Sequence, residues 1–360
     1  MALARIGRWA PSAQPAARRL ALCRACSSAA PRSAQWLLAE AARPPAYSSD
    51  GQLRPGLSAM LPPWEGWLLD DAEDEAVIAG KCAALDTPAL RPRLSVSDHR
   101  AETIDAEHEV FELIAKSAVG SARIAKSAAR TRAGRGAAAR ARGTGTTAPR
   151  LESAARIVRE DLVLLRQSGD APSRVAAATV CFSFGQLCDK VGQTLGAVHA
   201  PVPGYARSLG RSMDALFARL TPQKGFSRSN FELRWDEHLL HPSARGDPSR
   251  KGQLGEPEAC AHKLGPDDMH VRVEYQTLRR LERSAHILFT VRTYSDPLST
   301  WARSAAAAAA LHSRISSLGE EMAAYKGIHG EMRPRIEAYL LEASRQRPVQ
   351  QGRAGAQIRD

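Results

Sequence analysis

Residues 271–294 read V-R-V-E-Y-Q-T-L-R-R-L-E-R-S-A-H-I-L-F-T-V-R-T-Y, and the fold class turns on them. Val271, Val273 and Tyr275 alternate with Arg272, Glu274 and Gln276, the two-residue period of a strand buried on one side. Residues 287–294 read as a second strand, closed by Asp296-Pro297. The intervening 278–284 is too long for a two-residue hairpin turn but suits an antiparallel pair. Upstream, 226–235 alternates in part, with Phe231, Leu233 and Trp235 on one side, and 175–182 is a small-apolar run of strand length. Other stretches carry the helical period. These are 107–114; 151–165, where Ile157, Val158, Leu162 and Leu165 share a face; and 300–345, with Leu311, Ile315, Leu318 and Met322. Helices first and strands later, without regular alternation, predict an α+β fold.

The chain has 360 residues, 44% hydrophobic and 24% charged, ordinary for a soluble protein with an ample core. No apolar run approaches the roughly 20 residues that a membrane-spanning helix needs, so no membrane span is expected. The net charge of +12 suggests nucleic acid, but its distribution argues otherwise. Residues 1–39 hold six arginines and no acid, and 113–150 hold nine Lys and Arg and no acid; without both, 35 basic residues face 38 acidic ones. The remaining body is slightly acidic, so a basic groove for nucleic acid has no support. Residues 1–50 are expected to stand outside the fold as a transit-peptide-like, disordered segment, mitochondrial in preference to plastid. A single domain is expected over 55–345, interrupted by a disordered basic insertion at 117–150 and followed by a flexible tail at 346–360. Trp64 and Trp67 precede Asp70-Asp71-Ala-Glu-Asp-Glu75, which reads as the acid-rich first turn of a helix. A divalent-metal carboxylate cluster, as in a glycosyltransferase, is the sharper alternative.

Residues 198–220 read V-H-A-P-V-P-G-Y-A-R-S-L-G-R-S-M-D-A-L-F-A-R-L. Pro201 and Pro203 restrict the backbone on either side of them, so His199 sits on a stiff segment, and Gly204 allows a turn. Beyond it, Leu209, Met213, Phe217 and Leu220 form one helical face. An imidazole held before such a wall suits a proximal haem-iron ligand, and equally a packed histidine capping a core helix.

Six blocks then fall in order: I-V-R-E-D-L-V-L-L (157–165), A-A-T-V-C-F (177–182), V-H-A-P-V-P-G-Y (198–205), S-R-S-N-F-E-L (227–233), V-E-Y-Q-T-L-R-R-L (273–281) and L-F-T-V-R-T-Y-S-D-P-L (288–298). Together they resemble the alpha subunit of haem-dependent oxidative N-demethylases over 60–118 and 151–345. The resemblance implies a Per-ARNT-Sim (PAS)-like antiparallel sheet with flanking helices and additional N- and C-terminal helices, binding non-covalent haem b. It implies O2-dependent oxidation of a small methylated amine such as dimethylamine, releasing formaldehyde, with electrons from a separate flavin and iron–sulfur partner. Consistent with that division, the chain has no four-cysteine cluster pattern and no G-x-G-x-x-G loop. Alternatives on the same fold are a haem-based gas sensor or carrier without catalysis, and a degenerate scaffold.

On the matching positions, the resemblance makes His199 the iron ligand, with Tyr205, Met213 and Phe217 in the haem wall. It gives Arg228, Asn230 and Glu274 to the catalytic, oxygen- and substrate-facing side, with Gln276 nearby. Arg207, Arg211 and Arg292 become candidate partners for haem propionates; a structural salt bridge is the other reading of Arg292, as of Glu274 and Gln276, and a solvated helix face that of Arg207 and Arg211. Three departures stand out: Ser183-Phe-Gly-Gln186 where the family carries Pro and Trp, Phe231 in place of Trp, and Tyr275 in place of Arg. The last removes a fixed charge and five donors.

Overall fold

A computed structural model describes residues 31–40, 56–61, 66–133, 150–167, 171–180, 187–234, 265–328 and 330–346. Seven strands form one antiparallel sheet: β1 (Ser58–Met60), β2 (Ser95–Ser97), β3 (Asp161–Arg166), β4 (Arg174–Thr179), β5 (Gly225–Arg234), β6 (His270–Arg280) and β7 (Ile287–Pro297), in the order β1-β5-β6-β7-β3-β4-β2. Strands and helices segregate as an α+β fold requires.

Residues paired across antiparallel strands share a face, and the register therefore sorts every side chain. Val271, Val273 and Tyr275 of β6 lie with Leu233, Phe231 and Ser229 of β5 and with Asp296, Tyr294 and Arg292 of β7 on what we term the back face. Arg272, Glu274 and Gln276 lie with Glu232, Asn230 and Arg228 on the front face. The back is covered at one end by α1 (Ala34–Glu40) and the C-terminal helices α11 (Ala305–Ser316), α12 (Glu320–Tyr325) and α13 (Met332–Ser344). At the other end α4 (Ala101–Lys116) and α6 (Arg150–Ala155) pack on Leu162, Leu164 and Leu288. On the front, Val163, Leu165, Leu278 and Ile287 pack with Leu195, Phe217 and Leu220 from the segment holding α7 (Leu195–Val198), α8 (Tyr205–Ser208) and α9 (Gly210–Arg219). No helix among the described residues is long and apolar enough to cross a membrane.

The helical period read at 300–345 holds: Leu311, Ile315, Leu318 and Met322 are all buried. Four expectations need correction. The run 161–166 is strand β3, not helix, because Leu162 to Leu165 are covered on both faces between β4 and β7 and show no strand alternation to read. Strand β6 continues to Arg280 and β7 starts at Ile287, so the connection is 281–286, closed by Leu281 N–H donating to His286 O at 2.8 Å. Residues 31–40 belong to the folded body: Ala34 and Leu37 are buried, and the Ser33 hydroxyl donates to Asp296 Oδ2 at 2.7 Å. Residues 118–133 form α5 (Ala118–Ala133), and Val119 packs against the α4–α6 cluster. The readings at Trp64, 183–186, Trp235 and the tail from 347 fall outside the described residues.

Arg292 corrects a further expectation. It is 0% exposed on the back face. Its Nε donates to Tyr294 Oη at 2.9 Å, Nη1 to Glu160 Oε1 at 2.9 Å, and Nη2 to Asp71 Oδ2 at 2.6 Å and to Asp74. Arg123 of α5 and Arg159 also donate to Asp74, which opens α2 (Asp74–Asp86), while Arg32 pairs with Asp71. The fifth donor, also on Nη1, reaches Leu69 O at 3.2 Å, leaving none for a propionate. Asp70, Asp71 and Asp74 of the acidic run are likewise paired with arginines, and among the described residues no carboxylate cluster is arranged to hold a metal ion. Burial disfavours the Asp74 carboxylate, but the Arg292 hydrogen bond and charge outweigh it and hold the group below its ordinary value of 3.8.

Removing Arg292 would leave three buried carboxylates short of their main cation. Arg292→Met is expected to cost about 3–5 kcal/mol in urea unfolding at neutral pH. The stability contributed by Asp74 is present above the unfolded value of 3.8 and lost as pH falls through the lower folded one. The acid limb of the stability curve should therefore flatten in the variant.

Candidate functional site

The segment 194–209 builds a rigid mount for one imidazole. Thr194 caps α7, its Oγ1 accepting from Ala197 N at 3.2 Å, and His199 closes that single turn. Val202 N–H donates back to His199 O at 2.8 Å, across the proline-limited bend. Gly204 then takes φ +73°, a left-handed conformation that glycine adopts without steric cost, and leads into α8.

His199 Nδ1 lies 2.8 Å from Leu195 O. A carbonyl oxygen only accepts, so Nδ1 carries the proton and Nε2 keeps its lone pair. Burial lowers the His199 pKa; the Leu195 hydrogen bond opposes this, and the charges of Arg228 and Lys190 reinforce it. The ring is thus held neutral with Nε2 as a base, the form and tautomer that a metal-binding histidine needs. The Tyr205 ring stacks on it, centroids 4.5 Å apart and planes 10° from parallel. Burial pushes the Tyr205 phenol up to about 12, with Asp214 adding and Arg228 opposing.

The β5–β6 register continues the site across the front face. Arg228 lies opposite Gln276, Asn230 opposite Glu274, and Glu232 opposite Arg272. Gln276 Nε2 donates to Glu274 Oε2 at 2.9 Å, and Asn230 Nδ2 reaches the same oxygen at a long 3.4 Å. Glu274 Oε1 is 4.0 Å from Arg272 Nε. On β6 the back-face residues Val273, Tyr275 and Thr277 are buried, whereas Glu274 and Gln276, and Arg228 and Asn230 on β5, keep solvent contact. The front face is therefore incompletely covered just where its polar row lies. Arg228 Nε is itself buried and has no hydrogen-bond partner among the described residues.

Arg228 lies near enough to His199 and Tyr205 for its charge to act on both, and the register sets Asn230 and Glu274 next along the same face. Met213 is half-buried between the front cluster and the C-terminal core, and Phe217 is buried within the front cluster. Arg207 is exposed, without an ion pair among the described residues. The Arg211 side chain lies outside what is described. Tyr275 lies on the back face with Arg292, so replacing an arginine there takes no donor from the polar row. Sequence reasoning missed Lys326, which follows α12. Its Nζ donates to Asn230 Oδ1 at 2.8 Å and to Phe231 O at 2.6 Å. No local pattern marks it, because its partners lie nearly 100 residues away.

The model of one protein family, described as haem-dependent oxidative N-demethylase, alpha subunit-like, matches residues 91–333. The chain belongs to that family. The match spans α7–α9 and all of β5, β6 and β7, hence the whole front-face constellation. Membership carries haem dependence and an oxidative enzyme function in the family's own description. The residues present fit that group: a neutral imidazole whose Nε2 keeps its lone pair, a buried Arg228 Nε without a hydrogen-bond partner among the described residues, and a row of polar side chains that keep solvent contact.

Arg228 contributes to keeping His199 unprotonated, since its charge disfavours imidazolium. In Arg228→Gln the His199 pKa should rise part of the way toward 6.5, burial remaining as the larger cause. Titration of histidine-labelled protein by NMR, with His199→Gln for assignment, measures it; a fall would contradict this geometry.

Proposed function

We propose that the chain is the haem-binding component of an oxidative N-demethylase, holding non-covalent haem b through His199 Nε2 and acting on a small methylated amine of the dimethylamine type. The observation that carries this reading is the Nδ1–H to Leu195 O hydrogen bond, which reserves Nε2 for a ligand. Haem bound there would supply O2 binding and its reduction, drawing electrons from a separate flavin and iron–sulfur partner. Overall, a secondary methylamine, O2, two electrons and two protons become a primary amine, formaldehyde and water.

The chain's own residues then have definite tasks. Small alkylamines are cations at neutral pH, and Glu274 is the carboxylate of the open front face that recognises one. Arg228 provides a fixed positive charge toward negative charge developing on oxygen. Asn230 and Gln276 orient Glu274 by donating to its Oε2. Tyr205 holds the imidazole plane by stacking.

A PAS-like label is supported by the order β4-β3-β7-β6-β5, which is 2-1-5-4-3 when counted from β3, with α7–α9 inserted between the second and third strands. The arginine-rich, acid-free composition of residues 1–30 supports a mitochondrial address, with 31–40 kept in the folded body.

Supplying haem to the full chain is expected to give a Soret band that His199→Ala abolishes or shifts; an unchanged spectrum rejects His199 as ligand. Because His199 titrates below the ordinary 6.5, acid release of haem should have its midpoint below that pH. With reductant and air, methylated amines should yield formaldehyde. A retained Soret band without product from any of them would favour the sensor or carrier reading.

A further inference from the structure

We propose that Lys326 is a positioning residue that fixes the side-chain amide of Asn230, and through it the carboxylate of Glu274. The proposal rests on Glu274 being the amine's counter-ion. An ammonium has three donors and no acceptor, so the Asn230 amide must turn Oδ1 toward Lys326 Nζ, 2.8 Å away. That leaves Nδ2 facing Glu274 Oε2, directly across the strand pair. Were the amide free to flip, its oxygen would face the carboxylate, lone pair against lone pair, and Glu274 would lose one of its two orienting donors. Lys326 therefore sets the sign of the contact between Asn230 and Glu274.

The lysine is itself held firmly. It is 1% exposed, donates to Phe231 O at 2.6 Å, and sits 4.8 Å above the Phe231 ring. Its carbonyl accepts from Leu233 N at 2.9 Å, docking the turn after α12 onto the edge of β5. Gly327 permits that approach: at φ +77°, a Cβ there would lie 2.6 Å from Leu233 O. The C-terminal helices thus reach the front face through one side chain, although their bulk packs on the back.

Asn230 is the single asparagine in the chain, which makes the relay directly observable. Protein labelled with 15N-asparagine gives one side-chain amide pair. In Lys326→Met this pair should move toward the position of a free amide and exchange faster with solvent. Lys326→Gln, a milder change that guards against misfolding, should move it part of the way, and Lys326→Arg should restore it. Calorimetric binding of dimethylammonium to the haem-loaded full chain should weaken about tenfold in Lys326→Met. In an Asn230→Ala background the same substitution should add less than about twofold, because the lysine acts through the amide. An amide pair that stays in place in both Met and Gln variants overturns the proposal whatever amines do. So do binding losses that multiply in the double variant. Wild-type protein that binds no methylated amine, while the amide pair still responds to Lys326, overturns the amine reading and leaves the positioning contact standing.

Discussion

Three long strands in continuous register, β5, β6 and β7, impose the constraint on which the site depends. Side chains on a strand alternate, so Glu274 and Tyr275 must face opposite ways, and the pairing of Tyr275 with Arg292 sends that arginine away from Glu274. The sheet separates two kinds of polar chemistry that are interleaved along the chain. Behind it, a largely buried arginine–carboxylate network centres on Arg292. In front, a carboxylate, two amides and a guanidinium remain open beside an imidazole. A slip of one residue would exchange the two sets.

The rear network has a structural task. Arg292 joins the start of α2, the end of the loop before β3 and the middle of β7, while Arg123 and Arg32 tie in α5 and the N-terminal segment. Buried ion networks add little over a well-packed apolar core, but removing one member leaves charge stranded. Their effect here is to lock distant segments into one arrangement. Tyr275 lies on that same face, away from the front-face donors.

On the front, control of protonation is local and positional. The imidazole is fixed in tautomer by a carbonyl four residues back, in plane by Tyr205, and in charge by burial with Arg228 and Lys190. Glu274 is oriented by its strand neighbour Gln276 and by Asn230 across the ladder. Tautomer and plane come from a short stretch of chain, whereas the charge of Arg228 and the orientation of Glu274 require the sheet and, through Lys326, the helices behind it.

The same division explains what could be read from the chain. Alternation at 271–276, the apolar strand at 287–294, the helical period through 311–322 and the proline-braced His199 are local patterns, set by backbone geometry over a few residues, and each survives in the structure. The ordered motif blocks were enough to suggest the family, and the match over 91–333 agrees. Strand β3 was hidden because a short apolar run buried on both sides has no period that distinguishes strand from helix. Arg292 stayed open between a haem contact and a structural salt bridge, because a charge on a strand does not announce which face it takes or what already pairs with it; the structure shows the salt bridge. The docking of α1, the entry of Arg123 into the rear network and the contact of Lys326 with Asn230 were decided by tertiary structure alone. Each joins residues tens to hundreds of positions apart, and what pairs them is the closing of the sheet between its helical layers, which leaves no mark in the neighbouring sequence.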